Sequence, residues 1–210
     1  MNDAPSPAPS LEREHVTVGE RDFMIERPTQ TDRLKIGDEP PYWTALWPAA
    51  RMLAQASIDE TWTPETEALE IGCGLGLPGI VALSAGIRVT FSDLDPVALQ
   101  FAAHNARLNG YSHFQTLKLD WRFPPPDLKT TVLLASDLVY ELQSVEPVVQ
   151  CIKTLLAPGG LCLLTQMERL PSPALRRALE ASGLAVEART KREIGPEGKR
   201  VKGTLYHLRQ

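Results

Sequence analysis

The stretch Glu70-Ile71-Gly72-Cys73-Gly74-Leu75-Gly76 decides how the rest of the chain reads. A short apolar run, 68–71, feeds directly into glycines at alternate positions, and a small-residue helix is expected over 78–85, ending at Gly86. Glycines so placed let the backbone turn sharply and approach a ligand with no side chain in the way. Strand, glycine turn and helix in that order open a repeating αβ rhythm.

Downstream, 87–92 reads as a second strand and 96–108 as a helix, with Pro96 in its first turn and Asn109-Gly110 as its stop. Residues 114–119 form a third strand. A fourth, 131–136, is apolar throughout Val132-Leu133-Leu134-Ala135, as a strand covered on both faces should be. A helix over 145–156 closes at Pro158-Gly159-Gly160, a fifth strand spans 161–166, and a last helix runs from Ser172-Pro173 to Gly183. The strands at 184–190 and 200–208 are joined only by residues around Gly195-Pro196-Glu197-Gly198, too short a link for a parallel crossover, so an antiparallel hairpin is expected. The expected fold class is α/β: a Rossmann-like, doubly wound, mostly parallel seven-stranded sheet, with five βα units followed by that hairpin.

Upstream, residues 1–10 are Pro, Ser and Ala with one acid and are expected to be disordered. Residues 15–27 read as a short hairpin carrying Val16, Val18, Phe23 and Ile25. A helix over 44–57 presents Leu46, Ala50, Leu53 and Ala54 on one face, and Pro40-Pro41 keep it from starting earlier. The organisation expected is a tail (1–10), an N-terminal hairpin and helix packed on the core (11–62), and the main domain (63–210).

Composition sets the outer bounds. A chain of 210 residues with 43% apolar and 23% charged side chains suits one globular domain with a short extension. No stretch approaches the roughly 20 apolar residues that span a bilayer. The start, MNDAPSPAPSLERE, lacks the basic and apolar segments of a secretory signal, so a cytoplasmic location away from membranes is expected. A net charge of −4 argues against nucleic acid as partner. The seven Lys/Arg between Arg189 and Gln210 read as a solvated hairpin, with an acidic protein or RNA as the alternative attraction. Cys73, Cys151 and Cys162 read as small buried apolar residues, and no Cys/His spacing suggests a metal.

Open parallel sheets bind ligands beyond the carboxyl ends of their strands, so the chemistry should sit just after each strand. After the first strand, two fingerprints compete. A dinucleotide GxGxxG counted from Gly72 needs glycine at 77, where Leu77 stands; a literal match at Gly74, Gly76 and Gly79 starts late and encloses Pro78. After the second strand, Asp93 lies where a carboxylate accepts both ribose hydroxyls of an adenosine ligand, with Leu94 beside it. Asp95 is placed to start the next helix. After the third strand, Asp120 is suited to the adenine amino group and Trp121 to walling the base. After the fourth, Asp137 and Tyr140 should project into a reaction cleft, where a carboxylate can hold a substrate amine.

The acid-led alternate-glycine turn resembles the first motif of class I, seven-strand S-adenosyl-L-methionine-dependent methyltransferases. Pro41-Tyr42-Trp43-Thr44-Ala45-Leu46-Trp47-Pro48, Leu119-Asp120-Trp121 and Asp137-Leu138-Val139-Tyr140 together resemble the protein lysine methyltransferase branch over roughly residues 40–167. The resemblance makes 63–210 the methyltransferase domain and S-adenosyl-L-methionine the cofactor. It implies cofactor contacts from Trp47, Glu70, Gly72, Gly74, Gly76, Asp93, Leu94, Asp120 and Trp121, with Glu70 facing the methionine end. It implies substrate contacts from Asp137 and Tyr140.

N-methylation of a lysine in a protein substrate is the expected activity, with a small amine as the alternative acceptor. An NAD-dependent oxidoreductase is opposed by Leu77 and by the terminal hairpin. A non-catalytic cofactor-binding module is opposed by Asp137 and Tyr140.

Overall fold

The computed structural model describes residues 10–31, 34, 41–63, 65–195 and 198–210. The expected tail 1–10 (apart from Ser10), Pro40 of the Pro40-Pro41 pair, and Pro196-Glu197 of the hairpin link lie outside the described residues. The elements in chain order are strands β1 (Leu11–Val18) and β2 (Arg21–Pro28), helix α1 (Pro48–Asp59), β3 (Glu67–Ile71), α2 (Leu77–Ser84), β4 (Arg88–Asp93), α3 (Pro96–Leu108), β5 (Gln115–Lys118), β6 (Thr130–Ser136), α4 (Val145–Leu155), β7 (Leu156–Met167), α5 (Ser172–Ala181), β8 (Ala185–Ile194) and β9 (Arg200–Arg209).

Strands β1 and β2 form a separate antiparallel pair. The main sheet has seven strands in the order β5-β4-β3-β6-β7-β9-β8. Pairings from β5 through β7 are parallel, and β9 runs antiparallel to both neighbours. This is the Rossmann-like mixed sheet expected from the sequence. The chain winds outward from β3 to β5, then returns to place β6 on the other side of β3. That reversal is the crevice where such sheets bind ligands.

Both faces of the sheet are covered, and the alternation of strand side chains shows it. In β6, Val132 and Leu134 join the core built by α1, α2, α3 and the β1–β2 hairpin, while Leu133 and Ala135 join the core of α4 and α5. Val16, Val18, Phe23 and Ile25 of the hairpin are buried in the first core. Buried Asn105 of α3 fastens that hairpin: its Oδ1 accepts from Glu26 N (2.9 Å), and its Nδ2 donates to Glu26 O and Leu75 O (both 3.1 Å). One side chain thus links β2, α3 and the glycine turn.

Three details differ from the sequence reading. Helix α1 begins at Pro48 instead of Thr44, with Pro48 in its first turn and a short 3-10 turn at Tyr42–Thr44 ahead of it. A proline supplies the fixed φ of a helix start and lacks an amide to continue one. Only four of the five central strands are followed by a helix, because the β5–β6 link carries Pro124-Pro125-Pro126 and runs as turns. Strand β7 also starts earlier than expected, at Leu156, passing through Pro158-Gly159-Gly160 with a register shift opposite Thr130 and Val132. No helix among the described residues is long and apolar enough to cross a membrane.

Candidate active site

A cavity of about 250 Å³ opens at the carboxyl ends of β3, β4 and β6. Its floor is the glycine turn. Gly72, Gly74 and Gly76 take φ of +60°, +50° and +83°, a left-handed path that side-chain-bearing residues avoid. Cys73 N donates to Ser92 O (2.9 Å) and Gly76 N to Cys73 O (2.8 Å), so the turn is fixed to β4 as well as to itself.

Glu70 does not line the cavity. Its carboxyl is buried beneath the turn, where Oε2 accepts from Gly79 N at 2.9 Å. Burial pushes that carboxyl up to about 8. A β-carbon on Gly79 would stand 2.5 Å from both Glu70 Oε2 and Phe91, so the acid fits there only because position 79 has no side chain.

Asp93 ends β4 and lines the cavity. Its two oxygens accept from Gly74 N and Asp95 N, both at 3.0 Å, and burial raises its pKa. Asp95 caps α3 by accepting from Val97 N (2.8 Å), as expected, and also accepts from Trp43 Nε1 (2.7 Å). That second bond holds the Tyr42–Trp47 segment across the cavity. Trp47 Nε1 donates to Tyr42 O (2.7 Å), and Tyr42 stacks on Tyr140 with ring centroids 5.1 Å apart. Trp47, Leu94 and Trp121 all line the cavity.

Asp120 is not among the lining residues. Its carboxylate pairs with Arg122 two residues on (Nε at 2.8 Å, Nη2 at 2.7 Å), which holds it below the usual carboxylate range. The neighbouring guanidinium thus takes the oxygens that the sequence reading assigned to adenine.

Asp137 follows β6 in the left-handed region at φ +53°, the sole residue other than glycine with positive φ among those described. Asp tolerates that region better than most side chains do. Its carboxylate is 2% exposed and both oxygens have partners: Oδ1 accepts from Gln166 Nε2 (3.0 Å) and Met167 N (3.2 Å), and Oδ2 pairs with Arg169. Gln166 also brackets Val139, accepting from its N (3.2 Å) and donating to its O (2.9 Å). The Asp137–Tyr140 turn is therefore clamped from β7.

Gln166 and Arg169 were not singled out from the sequence. Gln166 is the polar residue ending an apolar strand, and Arg169 stands just beyond the fifth strand end, where the strand-end rule already pointed.

An acid-led glycine floor, a carboxylate beside it at the end of β4 and indole walls suit an adenosyl ligand with a charged aminoacyl arm. The comparisons agree. Residues 38–177, two thirds of the chain, match the family model described as lysine methyltransferase. The chain belongs to that family. S-adenosyl-L-methionine is the cofactor that membership brings.

The chain is 32% identical over 118 residues to histone-arginine methyltransferase METTL23 of Homo sapiens, a match covering 51% of this chain and 60% of that protein. It is 38% identical over 93 residues to the ribosomal protein L11 methyltransferase of Photobacterium profundum, covering 44% of this chain and 30% of that one. The matched stretches thus span between about a third and two thirds of those relatives. Among solved structures, the ribosomal protein L11 methylase of Lactobacillus delbrueckii subsp. bulgaricus superposes with a TM-score of 0.61 at 18% identity, over 77% of this chain and 79% of that one. At that identity the superposition establishes the fold.

Proposed function

We propose that this chain transfers a methyl group from S-adenosyl-L-methionine to the side-chain amine of a lysine in a protein substrate. One observation carries the reading. A single cavity is lined by the glycine turn and Asp93 together with Asp137 and Tyr140. The groups assigned here to the cofactor and to the acceptor therefore share one space.

When bound, the cofactor supplies a methyl group already activated by the positive charge on its sulfur. The residues of the chain have the task of alignment. Asp93 would take the ribose hydroxyls, the bare backbone of Gly72–Gly76 would pass beneath the aminoacyl arm, and Trp121 would wall the base. Asp137 and Tyr140 would orient the acceptor, and positioning of this kind is worth up to ~7–11 kcal/mol of barrier.

A macromolecular acceptor is favoured over a free small amine by the rim. Tyr42 and Leu94 are exposed at the cavity, and the exposed Phe123, Leu142 and Leu170 follow β5, β6 and β7 on the carboxyl side of the sheet, Leu142 in a short 3-10 turn. Apolar groups gathered around a mouth mark an interaction surface. The relatives named for histone and for ribosomal protein L11 also act on proteins.

The test is to incubate the purified chain with methyl-labelled cofactor and a cell lysate, digest half with protease, and hydrolyse the labelled protein to amino acids. Protease-sensitive label recovered as methyllysine is expected. Label recovered in small molecules, or in methylarginine or methylhistidine, would overturn the lysine assignment.

A further inference from the structure

The two groups expected to touch the acceptor both touch a third. Arg169, in the loop after β7, pairs with Asp137 Oδ2, and its guanidinium carbon lies 4.9 Å from the centroid of the Tyr140 ring. Tyr140 in turn stacks on Tyr42. Arg169 is not itself among the cavity-lining residues, so it backs Asp137 from behind. The lining, among the described residues, carries three carboxylates (Asp93, Asp95 and Asp137) and no Lys, Arg or His.

The charges around this point can be followed element by element. Asp93, across the cavity, is bound by backbone amides, and Asp95 is taken up by Trp43 and Val97. The Glu70 carboxyl beneath the turn stays protonated to about 8 through burial. Burial also raises the Tyr140 phenol, so it is neutral, and Tyr42 is its stacking partner. Glu168, next to Arg169, pairs with Lys202 of β9 at 2.7 Å. Arg169 is thus the cation that meets Asp137.

We infer that Arg169 is a positioning residue for methyl transfer: it neutralises Asp137, so that the carboxylate receives the acceptor as an uncharged amine instead of trapping it as an ammonium. This rests on the proposed lysine acceptor. A lysine ammonium, with its ordinary value near ~10.4, must lose a proton before it can attack. A lone carboxylate within a few ångströms would favour the charged form by about one to three pH units. A carboxylate already paired with a guanidinium presents a dipole, keeps a lone pair for an N–H donor, and exerts far less of that pull. The acceptor gives up one proton to solvent, its nitrogen lone pair forms the N–C bond as the C–S bond breaks onto sulfur, and the positive charge passes from sulfur to nitrogen.

The test compares Arg169→Met, Arg169→Gln and Arg169→Lys with the wild-type chain. Calorimetric titration with S-adenosylhomocysteine should give affinities within about twofold of wild type, since the cofactor half is untouched. Methyllysine formation on dialysed lysate protein is then followed from pH 6.5 to 10. In Arg169→Met and Arg169→Gln the acid limb should move up by about one unit or more. The deficit would then be about tenfold at pH 7.5 and close toward pH 10. Arg169→Lys should keep the wild-type limb.

A deficit that is constant with pH, or no deficit in either uncharged variant, overturns the inference while leaving the lysine reading in place. If the wild type forms no methyllysine at any pH, both fall. Should Arg169→Met fail to bind S-adenosylhomocysteine, Arg169→Gln, which retains a hydrogen-bond donor, decides between the outcomes.

Discussion

The two halves of the cavity hold their carboxylates in opposite ways. On the half proposed for the cofactor, the cavity-lining Asp93 meets the backbone amides of Gly74 and Asp95, and Glu70, buried beneath the turn, meets that of Gly79. Burial raises both. On the half proposed for the acceptor, Asp137 meets one backbone amide, that of Met167, and in addition two side chains from β7 and the loop beyond it, Gln166 and the cation Arg169. The first half is made by backbone amides 2 to 19 positions away, most of them in or beside the glycine turn. The second is made by pairing between residues about 30 positions apart. A ligand with a positively charged arm benefits from an acid that no cation has taken up, as Asp93 is, whereas a nucleophile that must shed a proton does not. The difference in construction matches the two tasks proposed for these halves.

The comparison can be sharpened by titration. Folded, Glu70 keeps its proton to about 8, whereas an exposed glutamate releases it near ~4.3. Between those values the folded state binds more protons, so this group's contribution to stability falls as pH rises through the window. Glu70→Gln keeps an oxygen for Gly79 N and removes the titration. Melting curves from pH 5 to 9 should decline more steeply for the wild type, by on the order of 4 kcal/mol across the range. Parallel curves would mean that Glu70 is ionised in the fold.

The acceptor half should break from β7. Gln166→Leu leaves the Asp137 oxygen and the N and O of Val139 without their partner, a loss of about 2–3 kcal/mol in chemical denaturation. Methyl transfer should fall much further than S-adenosylhomocysteine affinity. Equal losses would deny the two halves their independence.

Gly79→Ala probes the other side. The added carbon would meet Glu70 Oε2 and Phe91 at 2.5 Å, and overpacking of this kind costs about 2 kcal/mol, readable in a urea titration. A neutral or stabilising result would show that the acid can move aside. The smallest effect is expected from Tyr140→Phe, which keeps the ring that meets Tyr42 and Arg169. Stability should change by under ~0.5 kcal/mol, with cofactor affinity unaltered.

This division also explains what could be read before the structure. Helix α3 has the bounds expected of it, because Asp95-Pro96 starts it and Asn109-Gly110 stops it, all local signals. The sheet was legible from β6, whose unbroken apolar run requires cover on both faces. The glycine turn with Asp93 beyond it was legible as spacing. Asp120 does not line the cavity, and its pairing with Arg122 two residues away is a contact that strand-end spacing does not reveal. Arg169 and Gln166 were overlooked because their meaning lies in Asp137 across the sheet, and register between β6 and β7 is not written in either strand alone. The count of five βα units came out one too high, because the β5–β6 link carries three prolines and runs as turns.

The most direct measurement sets Asp93→Ala against Asp137→Asn in two assays, calorimetric titration with S-adenosylhomocysteine and methyl transfer to lysate protein. The account predicts that Asp93→Ala loses about 100-fold in affinity, the worth of two hydrogen bonds to a charged acceptor. It predicts that Asp137→Asn binds within about twofold of wild type yet transfers at least about 100-fold more slowly. Comparable loss of binding in both variants, or near-normal transfer by Asp137→Asn, would contradict the division of the cavity into a cofactor half and an acceptor half.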